Sequence, residues 1–374
     1  LSGTLDVDGL GDVSTVELAV GGDNTSTAIL SNLNSGSTVD ILSTGTGVTV
    51  NVDGAVAGAN DVLNLKLMNS TAAAEGFALI TAANVETVNI TTVDAGTVAN
   101  TVATVDTATL TAAGATSITV SGNNGLNLTA TGSTAVTSFD ASGIAADAAE
   151  DTAANLGVIY ASLNSTTTAD VTITGGVGND TLTGNAAKDT IVGGEGIDTI
   201  DGGAGIDTIN LAETTAAVDE VNFTSGADVI TGFLSTSDNL DFDGATIAGG
   251  GALTAGATTA TAVTSGAVSA GALTDDTVYV VSNGAVALTA AGTEKITDYT
   301  DTTDVAAYLN EGYTSTADND VAVFVINDLA GGKTYAYLVD EQTAGASTIQ
   351  AADVSLIGVI TEVNGAALVI GDVV

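Results

Sequence analysis

Gly175-Gly176-Val177-Gly178-Asn179-Asp180-Thr181-Leu182-Thr183 opens a run of four nine-residue units. The second is Gly184-Asn185-Ala186-Ala187-Lys188-Asp189-Thr190-Ile191-Val192. The third is Gly193-Gly194-Glu195-Gly196-Ile197-Asp198-Thr199-Ile200-Asp201, and the fourth is Gly202-Gly203-Ala204-Gly205-Ile206-Asp207-Thr208-Ile209-Asn210. Gly heads every unit. Asp holds the sixth position (Asp180, Asp189, Asp198, Asp207), and an aliphatic residue holds the eighth (Leu182, Ile191, Ile200, Ile209). Six residues make a Gly-rich turn. Three make a short strand whose eighth-position side chain points inward. Two units complete one coil, so each unit stacks on the unit two further on. Asp180 is then expected to face Asp198, and Asp189 to face Asp207. Facing carboxylates repel unless a cation lies between them, so this segment should depend on metal for its fold.

The rest of the chain is consistent with that reading. It has 374 residues, a net charge of −41, four Lys, and no His, Cys, Pro or Trp. Without His or Cys there is no zinc finger, Ser-His-Asp triad or Cys nucleophile. Without a basic track, nucleic acid is excluded as a partner. An anionic membrane surface would repel the chain. No run of 18 apolar residues is present, so no membrane insertion is expected. So many like charges destabilise a compact state. Bound divalent cations or screening by salt would relieve them. Hard oxygen donors favour Ca2+. A solvated acidic surface is the plainer alternative.

Aromatics are 3% of the chain, about one residue in six is Thr, and 46 are Gly. Thr and Val favour strands, and Gly supplies turns. The fold class is therefore mostly β, with short strands stacked as in a solenoid or sandwich, a central parallel β-roll and a C-terminal β unit. Three regions are expected. Residues 1–170 form a Thr/Val-rich β domain, 171–243 the nonapeptide roll and its cap, and 244–374 a C-terminal β domain. Strand-like runs include Val16 to Val20, Val48 to Val52, Val85 to Thr91, Asp106 to Thr111, Ser117 to Ser121, Leu126 to Thr131 and Val136 to Asp140. Ala145 to Leu156 reads as a short helix or a loop. Residues 244–274 carry no charge and read as a linker, small-residue strands or a packing surface. Further on, Thr277 to Ser282, Ala285 to Leu288, Val354 to Ile360 and Ala367 to Ile370 read as strands, and Thr302 to Asn310 as a helix. Val321 to Ile326 and Thr334 to Val339 should form a hairpin around Asn327 to Lys333.

The nonapeptide array resembles the RTX (repeats-in-toxin) calcium-binding β-roll, whose repeat is G-G-x-G-x-D-x-U-x. The resemblance implies Ca2+ as the bound cofactor. Its ligands would be the carboxylates of Asp180, Asp189, Asp198 and Asp207 and the turn backbone. The turns concerned are Gly175, Gly176, Val177 and Gly178; Gly193, Gly194, Glu195 and Gly196; and Gly203 and Gly205. The second unit departs from the pattern at Asn185, Ala187 and Lys188. Ala227 to Phe233 and Asp238 to Phe242 resemble the segment that closes such rolls. Asn84 to Ile90 and Thr137 to Gly143 resemble the Thr/Val-rich strands of RTX-type bacterial surface-layer (S-layer) proteins. The hairpin and Asp353 to Val359 resemble their tails.

That family implies type I secretion through an uncleaved C-terminal signal, folding outside the cell where Ca2+ is millimolar, and self-assembly into a lattice at the bacterial surface. Its partners would be copies of itself, with cell-surface polysaccharide contacted through a region outside these residues. The start at Leu1 is expected to be internal to a longer or processed chain. A secreted RTX adhesin or matrix filament protein is the alternative, and no enzyme activity is expected. Asn327 to Thr334 ends like a phosphate-binding loop, but a strand-like run follows where a helix is required. Asp53, Asp61, Asp140, Asp219, Asp238, Asp241 and Asp243 are read either as further Ca2+ ligands or as turn-forming residues.

Overall fold

The computed structural model describes residues 3–8, 13–18, 28–42, 47–56, 60–69, 73–94, 105–146, 152–166, 168–243, 245, 259–265, 271–275, 277–289, 292–314, 321–340, 348–362 and 367–373. The chain divides into two compact units, Leu1–Thr199 and Ile200–Val374. The division falls inside the nonapeptide array.

In the first unit consecutive strands alternate between two sheets, and each strand pairs in parallel with the strand two further on. One sheet runs Gly3–Asp6, Ala28–Leu33, Val48–Val52, Gly76–Ala82, Asp106–Thr111, Leu126–Thr129, Val158–Ala161 and Thr181–Thr183. The other runs Thr15–Leu18, Thr38–Ile41, Val62–Asn69, Thr87–Asp94, Ser117–Gly122, Ser138–Ile144, Thr172–Thr174 and Thr190–Val192. This is the stacked-rung arrangement, and a meander is excluded.

The cause lies in the period-two pattern. In Val62–Asn69, Leu63, Leu65 and Leu67 are buried, and the residues between them are part-exposed. Val88 and Ile90 do the same on the next rung, in register with Leu63 and Leu65. Slipping one residue would turn every apolar side chain outward, so register is fixed by burial. Phe139 from one sheet stacks on Tyr160 from the other, with ring centroids 3.9 Å apart and planes 5° apart. The two sheets thus share one core. On the outer face polar ladders follow the rungs: Asn89 Nδ2 donates to Asn64 Oδ1 at 2.8 Å, and Thr119 Oγ1 donates to Asn89 Oδ1 at 2.7 Å. Among the described residues one ion pair is found, Lys66 Nζ to Asp40 Oδ2 at 3.8 Å.

In the second unit Thr208–Asn210 pairs in parallel with Asp228–Phe233, and Glu220–Asn222 with Asn239–Asp241. The segments expected to close the roll therefore contribute rungs of their own. Asp228–Phe233 continues in parallel into Val354–Glu362. Lys333–Asp340 then pairs antiparallel with both Val354–Glu362 and Val321–Asp328, which is the expected hairpin. Thr277–Val281 and Thr259–Val263 extend the sheet in parallel. The helix Thr302–Leu309 starts at Asp301, whose carboxylate accepts from the Thr303 amide at 2.8 Å. It buries Val305, Tyr308 and Leu309 in a core shared with Phe324, Tyr337 and Val354.

Two expected strands are absent. Ala285 to Leu288 forms turns instead. Asn283 Oδ1 takes the Ala285 amide, and the Tyr308 hydroxyl donates to the Val286 carbonyl. Ala367 to Ile370 is irregular and leads into the 3-10 turn Ile370–Asp372. The Asn327 side chain bonds both the amide and the carbonyl of Leu368. In both places a side chain does what a ladder partner would have done. Of Ala145 to Leu156, Ala153–Leu156 is helical, and 147–151 lie outside the described residues. In the neutral stretch, Thr259–Val263 and Gly271–Ala272 are small-residue strands, and much of the rest lies outside the described residues.

Phe139 is fully buried and stacked. Phe139→Ala should cost about 3–5 kcal/mol by leaving a cavity, read as a lower urea midpoint. Ser138→Ala, on the outer side of the same strand, should leave the midpoint within experimental error.

Candidate metal centre

The nine-residue turns repeat one backbone device. In the first two units the sixth-position carboxylate accepts one amide from its own turn and another from the preceding coil. Asp180 Oδ2 accepts from the Gly176 amide at 2.7 Å, and its Oδ1 from the Val158 amide at 2.6 Å. Asp189 does the same with the amides of Asn185 at 2.5 Å and Val171 at 2.8 Å. Asp198 Oδ1 accepts from the amide of Asp180 at 2.9 Å. Asp180 and Asp198 thus stack as the period requires. In the second unit Asp207 is likewise buried, and its amide donates to Asp228 Oδ1 at 2.9 Å.

The turns stack closely. Gly194 and Gly196 have φ of +119° and +116°. A Cβ on Gly194 would lie 2.2 Å from the Gly176 carbonyl oxygen, and one on Gly196 would lie 2.4 Å from that of Gly178. Both positions require Gly for conformation and for space. The inward residues Leu182, Ile191, Ile200 and Ile209 are fully buried. Val177, Ile197 and Ile206 instead point out of the turns. In the second unit of the array, Asn185 Oδ1 accepts from the Ala187 amide at 2.6 Å, and its Nδ2 donates to the Ala169 carbonyl at 3.0 Å. Asn185 therefore builds the turn with its side chain, while Lys188 is exposed.

Burial dominates the electrostatics. Asp180, Asp189, Asp198 and Asp207 are each at most 1% exposed. Burial raises the Asp180 pKa to about 7, although the Val158 and Gly176 amides oppose it. Asp189 is raised for the same reason, with Asp170 adding repulsion. Asp228 is raised to about 7 by burial and by the charge of Asp201. A buried carboxylate with no basic partner takes up a proton or needs a cation.

In the second unit the same pattern recurs beyond the nonapeptides, in the segments expected only to close the roll. Gly226-Ala227-Asp228-Val229-Ile230 keeps the fourth, sixth and eighth positions of the repeat after a longer spacer. Gly226 has φ +113°, and a Cβ there would lie 1.5 Å from the Gly205 carbonyl oxygen. Asp238 follows the same rule, accepting from the Leu234 amide at 2.7 Å and the Asp219 amide at 3.2 Å. The recurring Asp-x-aliphatic signature (Asp219 to Val221, Asp228 to Ile230, Asp238 to Leu240) marked these rungs once the spacing was allowed to vary. Upstream, Asp106 is equally buried but receives Asn69 Nδ2, Asn124 Nδ2 and the Glu75 amide, all within 2.8 Å. Asp140 accepts from the Ser142 amide within the strand Ser138–Ile144, and Asp241 accepts from the Asp243 amide just past its own strand.

Among the described residues, no three acidic side chains converge into a ready metal cage. A cation in this array would draw on turn carbonyls as well as carboxylates, as a hard ion with six to eight oxygen ligands does. The buried carboxylates and the Gly-only cradle fit such an ion.

Residues 174–209 match the family model of the RTX calcium-binding nonapeptide repeat, in four copies. A comparison with curated proteins gives no match. RTX nonapeptide repeats bind Ca2+, and the matched segment supports an RTX-type calcium-binding protein.

Gly194→Ala should shift Ca2+-dependent folding to higher Ca2+ and lower the melting temperature. Gly36 also has positive φ, at +88°, but open space around its Cβ position. Gly36→Ala should cost only the backbone strain, about 1–2 kcal/mol, and leave Ca2+ dependence unchanged. Equal effects of the two substitutions would show that turn stacking is not what selects Gly.

A pH dependence follows for the chain in excess chelator. Asp106, at about 6, and Asp180 and Asp228, at about 7, all lie above the ordinary value of 3.8. The folded chain therefore holds protons that the unfolded chain has lost. Their contribution is fully present below the unfolded pKa and disappears as pH rises through the folded one. The melting temperature in chelator should rise as pH falls from about 8 to about 5. Saturating Ca2+ should flatten that slope, because the ion takes the place of the protons.

Proposed function

We propose that this chain is a structural protein of a bacterial cell-surface layer, folding and self-assembling outside the cell as Ca2+ fills the turns of the roll. The stacked column of buried carboxylates carries this reading: Asp180 over Asp198, in a chain of net charge −41, leaves a folded state in need of cations. The proposed ligands are the carboxylates of Asp180, Asp189, Asp198 and Asp207. They act with the turn backbone of Gly175 to Gly178, of Gly193 to Gly196, and of Gly203 and Gly205. RTX repeat proteins are typically secreted, and no helix among the described residues is long and apolar enough to cross a membrane. In a calcium-poor cytoplasm the like charges keep the chain open and apart. Outside, the ion removes the charge penalty and couples binding to folding. The partners in this reading are other copies of the chain, with surface polysaccharide reached through a region beyond these residues. The role is structural, with no catalytic group assigned. A secreted RTX adhesin or matrix filament shares the same calcium chemistry and differs in what it assembles.

Electron microscopy of the purified chain in chelator, millimolar Mg2+ and millimolar Ca2+ separates these readings. Ordered sheets in Ca2+ alone are expected, and the double variant Asp180→Ala, Asp198→Ala should assemble poorly and melt lower. Filaments would move the assignment to the matrix alternative. Folded monomers in all three conditions would overturn both.

A further inference from the structure

The second unit contains another group of acids outside the nonapeptide turns. Glu213 lies between the strands Thr208–Asn210 and Glu220–Asn222, and Asp238 closes the turn after Asp228–Phe233. Glu362 ends the strand Val354–Glu362, and Asp372 lies in the 3-10 turn Ile370–Asp372. The fold gathers them. Glu362 is the ladder partner of Phe233, next to Leu234, whose amide holds Asp238. Val373 bridges to Leu240, which sets Asp372 beside the start of Asn239–Asp241.

Three of these carboxylates are tied to backbone. Asp238 takes the amides of Leu234 and Asp219, Asp372 takes the Val369 amide at 2.6 Å, and Glu213 Oε1 takes the Ala217 amide. Glu362 differs. It is more than nine-tenths buried, and both its oxygens are shut off from water with no donor in hydrogen-bond geometry. Glu213 Oε2 is buried in the same way. Ser235 and the Leu368 amide approach Glu362 and ease its charge slightly. Burial and the charge of Asp372 outweigh them and push its pKa up to about 7. Asp372 and Glu213 likewise raise Asp238. No lysine is among the groups acting on either residue.

We propose that Glu362 and Asp372 hold a second kind of Ca2+ site, which pins the C-terminal segment to the last rungs of the second unit within the negative field of Glu213 and Asp238. A carboxylate with two open oxygens is a bidentate ligand in waiting. An all-oxygen surrounding without His or Cys selects a hard divalent ion, and irregular geometry favours Ca2+ over Mg2+. The acids do not yet form a closed cage, so backbone carbonyls and water complete the shell. The choice of Ca2+ rests on the calcium reading of the roll. The site itself does not.

The test is hydrogen exchange by mass spectrometry on the full chain in chelator, Mg2+ and Ca2+, with ion stoichiometry by equilibrium dialysis. Ca2+ should slow exchange over residues 354–362 and 367–373 about tenfold, as a ligand bound only to the closed state does. Glu362→Gln should abolish that slowing and remove one Ca2+ per chain, while residues 175–198 keep their protection. Asp372→Asn serves the same purpose if Glu362→Gln misfolds. Unchanged stoichiometry and protection in these variants would overturn the site while leaving the roll's calcium intact. Protection of the C-terminal segment by mild acid, with none from Ca2+, would overturn it in favour of a shared proton. Loss of protection over 175–198 alone in Asp180→Asn would mark the two sites as separate.

Discussion

One interaction organises the molecule: an aspartate carboxylate buried between two turns, accepting an amide from each. It fixes the turn to its own strand and to the coil before it at once. Asp180 ties Gly176 to Val158, and Asp198 ties back to Asp180. The short strands between turns, such as Thr181–Thr183, are too brief to hold register alone. Their single inward residue contributes burial, and the carboxylate contributes position. The cost is charge in a dry place, which backbone amides offset only in part. A cation resolves that conflict, and its supply then governs whether the coil closes.

The same architecture handles the conflict differently upstream. Asp106 is as buried as Asp180 but meets two asparagine side chains, Asn69 and Asn124. Its folded state needs less help from an ion. The longer rungs there, such as Val62–Asn69 and Thr87–Asp94, bury two or three apolar side chains each and lean on packing. Calcium dependence should therefore be concentrated in the turns from Gly175 onward. The Thr/Val-rich region depends on hydrophobic burial and on polar ladders of Asn and Thr. The second unit adds a conventional mixed sheet with a covering helix, whose core of Phe324, Tyr337 and Tyr308 holds several of the chain's few aromatics.

Much of this was legible from the residues. The nine-residue period set the turns, the inward column and the stacking of Asp180 on Asp198. Two apolar runs around Asn327 to Lys333 set a hairpin. Pairing order was less legible, because alternation says which face is buried and nothing about the neighbour. Asp228 and Asp238 were read as part of a closing segment, not as further rungs, because their spacers break the period although the Asp-x-aliphatic signature persists. Ala285 to Leu288 and Ala367 to Ile370 have strand composition. Distant side chains, those of Tyr308 and Asn327, satisfy their backbone, and that information lies far away in the sequence. Glu362 was equally invisible, since its isolation from donors is a property of packing.

The alternation of rungs between two faces also constrains how such a chain can change length. Stacked aspartates such as Asp180 and Asp198 are 18 residues apart, which is two nine-residue units. Gain or loss of a single unit would deliver every later strand to the opposite sheet and exchange all its partners. Gain or loss of a pair would restore each strand to its own side and alter only the stack height, by about 4.8 Å per coil. Parity, rather than the quality of any one repeat, is then the rule by which an array like this one could grow or shrink while its two flanking regions stay as they are.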